Sequence, residues 1–129
     1  MNLCRTLAVL SLLLIPVQAV GFATPALAEE LRWPTDTERS QIVAAIRDTF
    51  PDPYSIRDAE LSQMLAFDQG GFVCLYANSK NRFGGYSGRQ YSIVGVRFAE
   101  KRAEIHPAVA DDIEACKKLA FRAFAELSR

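Results

Sequence analysis

Hydrophobic positions recur along the chain in helical and in strand-like spacings. Ile42, Val43 and Ile46, with Phe50 beyond them, fall at three- and four-residue steps while Arg39, Arg47 and Asp48 fall elsewhere. Just upstream, Thr35-Asp36-Thr37-Glu38 has the form of a capping box, in which the threonine hydroxyl and the glutamate carboxylate satisfy each other's backbone N–H groups. Pro51 disfavours helix at the residue before it. The spacing therefore predicts a helix over 36–49, followed by a rigid turn over 51–55.

Residues 72–78 and 90–98 are rich in β-branched and aromatic side chains and predict strands. Their runs Phe72-Val73-Cys74-Leu75-Tyr76 and Ile93-Val94-Gly95-Val96 are nearly unbroken in apolarity, which places both centrally in a sheet. Residues 56–67 fit two patterns. Ile56, Ala59, Leu61, Met64 and Leu65 make a helical stripe, whereas Ala59, Leu61 and Gln63 alternate with polar neighbours as a strand does. A turn after Pro53 and a strand over 59–65 is the preferred solution, with 68–71 turning into the next strand. Residues 100–107 look like a polar connection. The last stripe, Ile113, Cys116, Ala120, Ala123, Phe124 and Leu127, predicts a C-terminal helix with Asp111 and Asp112 at its start and cations from Lys117 onward. The expected fold class is α+β: a small antiparallel sheet of about three strands covered by an N-terminal and a C-terminal helix and tied by one disulfide.

The first 28 residues change the picture of where this domain works. One cation, Arg5, precedes the apolar run 7–15, and Ala26-Leu27-Ala28 stands before Glu29 and Glu30. A charged start, a short apolar core and an A-x-A site describe a secretory signal peptide, cleaved after Ala28. A transmembrane anchor needs about 20 apolar residues, and Pro16, Gln18 and Gly21 interrupt the run too early. Cys4 precedes the apolar core and leaves with the leader. The expected mature protein is one domain, 29–129, in the periplasm or secreted, with no stable membrane insertion. It carries 14 cations and 15 acids, and that near-neutrality argues against nucleic acid as a partner. The balance is uneven: residues 29–68 hold four cations against nine acids, and residues 69–102 six cations against one acid.

Cys74 and Cys116 survive processing, and in an exported protein an even pair reads first as a disulfide. Such a closure restricts the unfolded chain by about 4 kcal/mol on the chain-entropy account. Two separate buried thiols are the alternative. Candidates for chemistry are few. His106, the only histidine, lies in a polar connection with no partner in sequence, and paired cysteines leave no free nucleophile. No metal-ligand spacing, nucleophile elbow or cofactor motif occurs, so neither a metal nor a cofactor is expected. The acids Asp111, Asp112 and Glu114 look like a helix start rather than a carboxylate pair.

The segment 78–91 stands apart. Gly84, Gly85 and Gly88 permit backbone angles that other residues resist, and Asn78 and Asn81 tolerate left-handed geometry. As a plain hairpin loop, its Phe83 and Tyr86 fold back as a small core of their own. As a functional loop, its exposed N–H groups with Lys80, Arg82 and Arg89 form an anion- or partner-binding lip, and Phe83, Tyr86 and Tyr91 supply flat contacts. No Gly-Lys-Ser/Thr follows, so it is not a phosphate loop.

Asp52-Pro53-Tyr54-Ser55, then Val73-Cys74, then Asn78-Ser79-Lys80-Asn81-Arg82-Phe83-Gly84-Gly85-Tyr86-Ser87-Gly88 resemble a pattern in small exported bacterial proteins of unknown function, which read D-P-x-S, V-C-G and N-A-K-N-x-[FY]-G-G-Y-x-G. Leu75 stands where glycine is usual and Ser79 where alanine is. The resemblance covers the middle half of the mature chain and implies an envelope location and a role for the loop, but no activity. The expected function is non-enzymatic binding through residues 78–91, the partner being an envelope protein or an anionic envelope ligand. A small envelope hydrolase using His106 or a carboxylate pair, and a structural component of an envelope complex, are the rivals.

Overall fold

A computed structural model describes residues 29–128. The leader assigned to residues 1–28 lies outside the described residues, so the structure has no bearing on its cleavage. Seven antiparallel strands form one sheet, with two α-helices and a final 3₁₀ turn. The elements run β1 (Glu30–Arg32), α1 (Asp36–Thr49), β2 (Asp52–Ser62), β3 (Met64–Phe67), β4 (Gly70–Lys80), β5 (Tyr86–Arg97), β6 (Arg102–Pro107), α2 (Ala110–Cys116), β7 (Phe121–Ala123) and the 3₁₀ turn Ala125–Leu127.

The helix α1 begins where its capping box places it. The Glu38 N–H donates to the Thr35 hydroxyl at 3.3 Å, and the Thr35 N–H donates to the Glu38 carboxylate at 2.7 Å. Its buried face presents Ile42, Ala45 and Ile46 to the sheet. Long β4 is central. It pairs along its whole length with β5, which pairs with β6. Along its other edge β4 pairs first with β3 and then with β2. These two behave as one strand broken at Gln63, whose N–H turns away to the Ala120 carbonyl. The break leaves the Cys74 N–H without a ladder partner, and the fully buried Ser62 hydroxyl accepts it at 2.8 Å. Short β1 and β7 continue the sheet beyond β3 and β2.

Alternation along β4 divides the sheet into two faces. Val73, Leu75 and Ala77 join Val94, Val96, Leu61 and Ile42 in the core under α1. Phe72, Cys74, Tyr76 and Asn78 point to the opposite face. There Cys74 is bonded to Cys116 at 2.02 Å, which ties α2 to the sheet.

The fold is α+β and the disulfide is present, but the expected sheet of about three strands covered by two helices is not what forms. Residues 100–107 contain β6 rather than a polar connection, residues 51–55 enter β2 rather than a separate turn, and the terminal helix stops at Cys116. The last difference has a geometric cause. The disulfide holds Cys116 on the face opposite α1, while Phe124 and Leu127 belong to the core beneath α1. No single straight helix serves both. The chain instead rounds the sheet edge as β7, whose residues pair with Glu60–Ser62 of β2, and the Phe124 N–H donates to the Ala59 carbonyl at 2.8 Å.

Candidate functional site

Residues 78–91 are a hairpin with long arms rather than a long loop. Asn78 and Lys80 lie in β4, and Tyr86, Arg89 and Tyr91 in β5. Only residues 81–85 connect the strands, and Asn81 organises them. Its N–H donates to the Gly85 carbonyl at 2.8 Å, its carbonyl accepts from Gly84 at 3.0 Å, and its side-chain oxygen accepts from the N–H groups of Phe83 and Gly85 at 2.9 and 3.2 Å. An asparagine side chain bonding the backbone ahead of it is a turn former of its own, and Gly84 supplies the left-handed residue at φ 80°. The arms are fastened as well. Ser55 of β2 accepts the Lys80 N–H on its hydroxyl and the Tyr86 phenol on its carbonyl, both at 2.9 Å.

Register shifts set the face on which the arms display their side chains, and β2 is also irregular between Asp52 and Arg57, around Ser55. Beside β4, the register of β5 slips between Tyr86 and Arg89, where Gly88 takes φ 87°. On the other side β2 slips between Arg57 and Glu60, where Asp58 takes φ 53°. An extra residue in one strand of a pair reverses the alternation beyond it. Arg57 with Glu60, and Tyr86 with Arg89, therefore share the face that carries Tyr76 and Tyr91, and a continuous ladder results. The Arg57 guanidinium lies 3.7 Å from the Tyr86 ring centre and the Lys80 ammonium 5.7 Å from it. The Arg89 guanidinium lies 4.0 Å over Tyr76 and pairs with Glu60. Tyr76 stacks on Tyr91 at 4.3 Å, and Tyr91 meets Phe121 of β7 edge-on at 6.1 Å. Each cation–ring contact at an exposed site contributes about 0.5–1 kcal/mol.

This arrangement gives several of the expected contact residues partners within the hairpin and its base. The N–H groups of Asn81, Phe83, Gly84 and Gly85 are all satisfied within the loop, so these four are already bonded. The rings of Tyr86, Tyr76 and Tyr91 are covered by cations or by each other, and Arg89 is spent on Glu60; these side chains stiffen the hairpin and its base. Asn78 is half-buried among them. What the hairpin holds out is its tip. Phe83 is 96% exposed, Arg82 beside it is exposed and forms no ion pair with another described residue, and the turn beneath them is knit by its own hydrogen bonds. Nor does Phe83 fold back on Tyr86 as a local core. Sequence reasoning missed Ser55, Arg57, Glu60 and Tyr76. Their share in the site depends on the irregular stretch Asp52–Arg57 and on two bulges, and the trace of those bulges in sequence is a glycine and an aspartate of the kind that accepts left-handed angles.

His106 lies exposed on β6 opposite Ile93, and its imidazole takes part in no hydrogen bond or ion pair among the described residues. Among the described residues no group of three His, Cys, Asp or Glu side chains is placed to hold a metal ion. The Asp112 carboxylate accepts the Val109 N–H at 3.1 Å, as a helix start requires, and Glu114 pairs with Lys117 at 2.7 Å. Compared with protein-family models, with curated proteins and with solved structures, the chain matches none.

Proposed function

We propose that this is an exported, envelope-resident protein that works by binding a partner rather than by catalysis, with the tip of the β4–β5 hairpin as its contact. The leader-like pattern of residues 1–28 and a disulfide suited to an oxidising compartment support the location. One observation carries the function. A large apolar ring, Phe83, is almost wholly solvent-exposed on a turn closed by its own hydrogen bonds. Scattered exposed apolar residues are ordinary on a protein surface. An exposed aromatic on a hydrogen-bonded turn differs, because burying it against a partner gains apolar contact while the backbone that carries it is already ordered. Arg82 beside it supplies a cation, so the partner surface is an apolar pocket with an acidic margin.

In-cell photo-crosslinking tests this. With benzoylphenylalanine at Phe83, a discrete adduct is expected, which mass spectrometry identifies. The same probe at exposed Lys118, just beyond α2, serves as the control and is expected to give none. Equal labelling at both positions, or none at Phe83, would refute the assignment. Loss of function in cells on His106→Ala with the fold intact would favour a hydrolase instead.

A further inference from the structure

A second surface lies away from the hairpin tip. Among the described residues strand β6 pairs with β5 alone, which leaves one of its edges open. In an antiparallel ladder, successive residues point their N–H and C=O groups alternately to either side. The Phe98 N–H donates to the Gln69 carbonyl, continuing the β4–β5 ladder, so the even residues of β5 bond to β4 and the odd ones to β6. Through the register Ile93↔His106 and Gly95↔Glu104, the N–H and C=O groups of Ala103 and Ile105 therefore point outward, away from β5. Alongside this edge runs α1, and between them is a groove of about 800 Å³. Ala103 and Ile105 of β6, with Ala44 and Ala45 of the helix, give it an apolar lining that small helix side chains keep open. The Gln41 side chain also lines it, and its carbonyl oxygen is buried without a hydrogen-bond partner.

The charges at the groove's two ends are opposite. Arg32, bonded to Glu38 in the first turn of α1, lies over Phe98, so the helix N-terminus sits at the Lys101 end of β6. Phe50 and Pro51 border Ser92, the partner of Pro107, so the helix C-terminus sits at the other end. Lys101 thus stands at one mouth together with the positive end of the helix dipole, and Asp48 at the other. Neither side chain forms an ion pair with another described residue. We infer that this groove binds an extended peptide ending in a free carboxylate, which adds to β6 as an antiparallel strand. An antiparallel strand brings its C-terminus to Lys101 and its N-terminal side to Asp48. Its backbone meets the outward groups of Ala103 and Ile105, and alternate apolar side chains enter the lining. Strand addition of this kind takes affinity from main-chain bonds and selectivity from alternate side chains.

The test uses a display library of random seven-residue peptides with free C-termini, selected on the disulfide-bonded protein. The expected result is a consensus with apolar residues at alternate positions. The synthetic consensus peptide should shift the Ala103 and Ile105 amide resonances. Ala103→Pro removes an outward N–H without touching the β5 ladder, and proline is tolerated on a solvent-facing edge. It should weaken binding at least tenfold while the melting temperature stays within a few degrees. Amidating the peptide, or Lys101→Glu, should weaken binding several-fold. If Ala103→Pro unfolds the protein, Lys101→Glu and amidation of the peptide decide, since Lys101 is exposed at the mouth of the groove. The inference is overturned if no peptide is selected, or if selected peptides bind the variants as well as the wild type. Concentration-dependent dimers that Ala103→Pro abolishes would also overturn it, by assigning the edge to a second copy of the chain.

Discussion

Ser62 has no exposed surface, and its hydroxyl fills the one gap that the β2–β3 break opens in the β4 ladder. The hydroxyl also donates to the Gln63 carbonyl at 2.7 Å, so both of its roles are used. Ser62→Ala leaves the Cys74 N–H buried without an acceptor, which costs about 1–3 kcal/mol. Urea titration should show that loss, and the Cys74 amide should exchange with solvent much faster than in the wild type. Unchanged stability would mean that β2 and β3 close the gap themselves. Glu38 is the second residue on which much depends. Arg32 donates to both of its carboxylate oxygens, at 2.9 and 2.7 Å, and that bond does most to hold the carboxyl below its ordinary range; burial opposes the shift and the Thr35 N–H adds to it. The same contact holds the Arg32 guanidinium above its usual value, so it stays charged. A carboxylate whose value is lower in the folded chain stabilises fully above the unfolded value of about 4.3, and the contribution drains away as pH falls through the folded value. Melting temperature should therefore fall on acidification below about pH 4, and in Glu38→Gln this acid-dependent part should shrink. At pH 7 the variant should melt lower than the wild type, by up to about 2 kcal/mol of stability.

Among the elements, α2 depends most on a single bond. It is a short helix joined to the sheet by Cys74–Cys116, and the chain after it leaves for the opposite side of the molecule. Bridging residues 42 apart in sequence stabilises by about 4 kcal/mol on the chain-entropy account. Reduction should lower the melting temperature by several degrees or more. Hydrogen exchange should show α2 losing protection first while α1, held by Ile42 and Ile46, keeps its own. Identical melting with and without reductant would refute a structural role for the bond. This disulfide, α1 and the two central strands were legible in the sequence because each has a local signal: an even cysteine pair, a capping box, unbroken apolar runs. The rest lacked such signals. In β6, Ala103 and Ile105 alternate with Arg102, Glu104 and His106, but the polar majority disguises a half-buried strand as a connection. Strands β1 and β7 are too short to show any period. The stripe from Ile113 to Leu127 is truly helical in spacing, and only the three-dimensional conflict between the Cys116 tether and the Phe124 position breaks it. The hairpin was visible as a glycine- and asparagine-rich segment, whereas the face shared by its arms follows from bulges whose trace in sequence, Gly88 and Asp58, does not fix a register.

At the scale of the whole molecule, the sheet carries two separate candidate contacts. One is an open edge beside α1, and the other a tip at the end of the central hairpin. The bulges, the Ser55 clasp and the arginine-covered rings all make the hairpin stiffer, which matters to the tip only if rigidity itself aids binding. Two substitutions separate the ring from its rigidity. Phe83→Ala removes a side chain that is 96% exposed, so stability should change by no more than about 0.5 kcal/mol. Asn81→Ala keeps the ring but deprives Phe83 and Gly85 of their acceptor. The loosened turn must then be ordered on binding, at about 0.5–1.5 kcal/mol for each immobilised side chain. Added as purified competitors to the benzoylphenylalanine crosslinking reaction repeated in a cell-envelope extract, the wild type should suppress the adduct and Phe83→Ala should fail to do so. Asn81→Ala should succeed only at several-fold higher concentration. If Asn81→Ala competes as well as the wild type, the ring alone suffices and the stiffening serves the fold. If Phe83→Ala competes equally well, the tip is not the contact, and the partner's site must be sought elsewhere on the sheet.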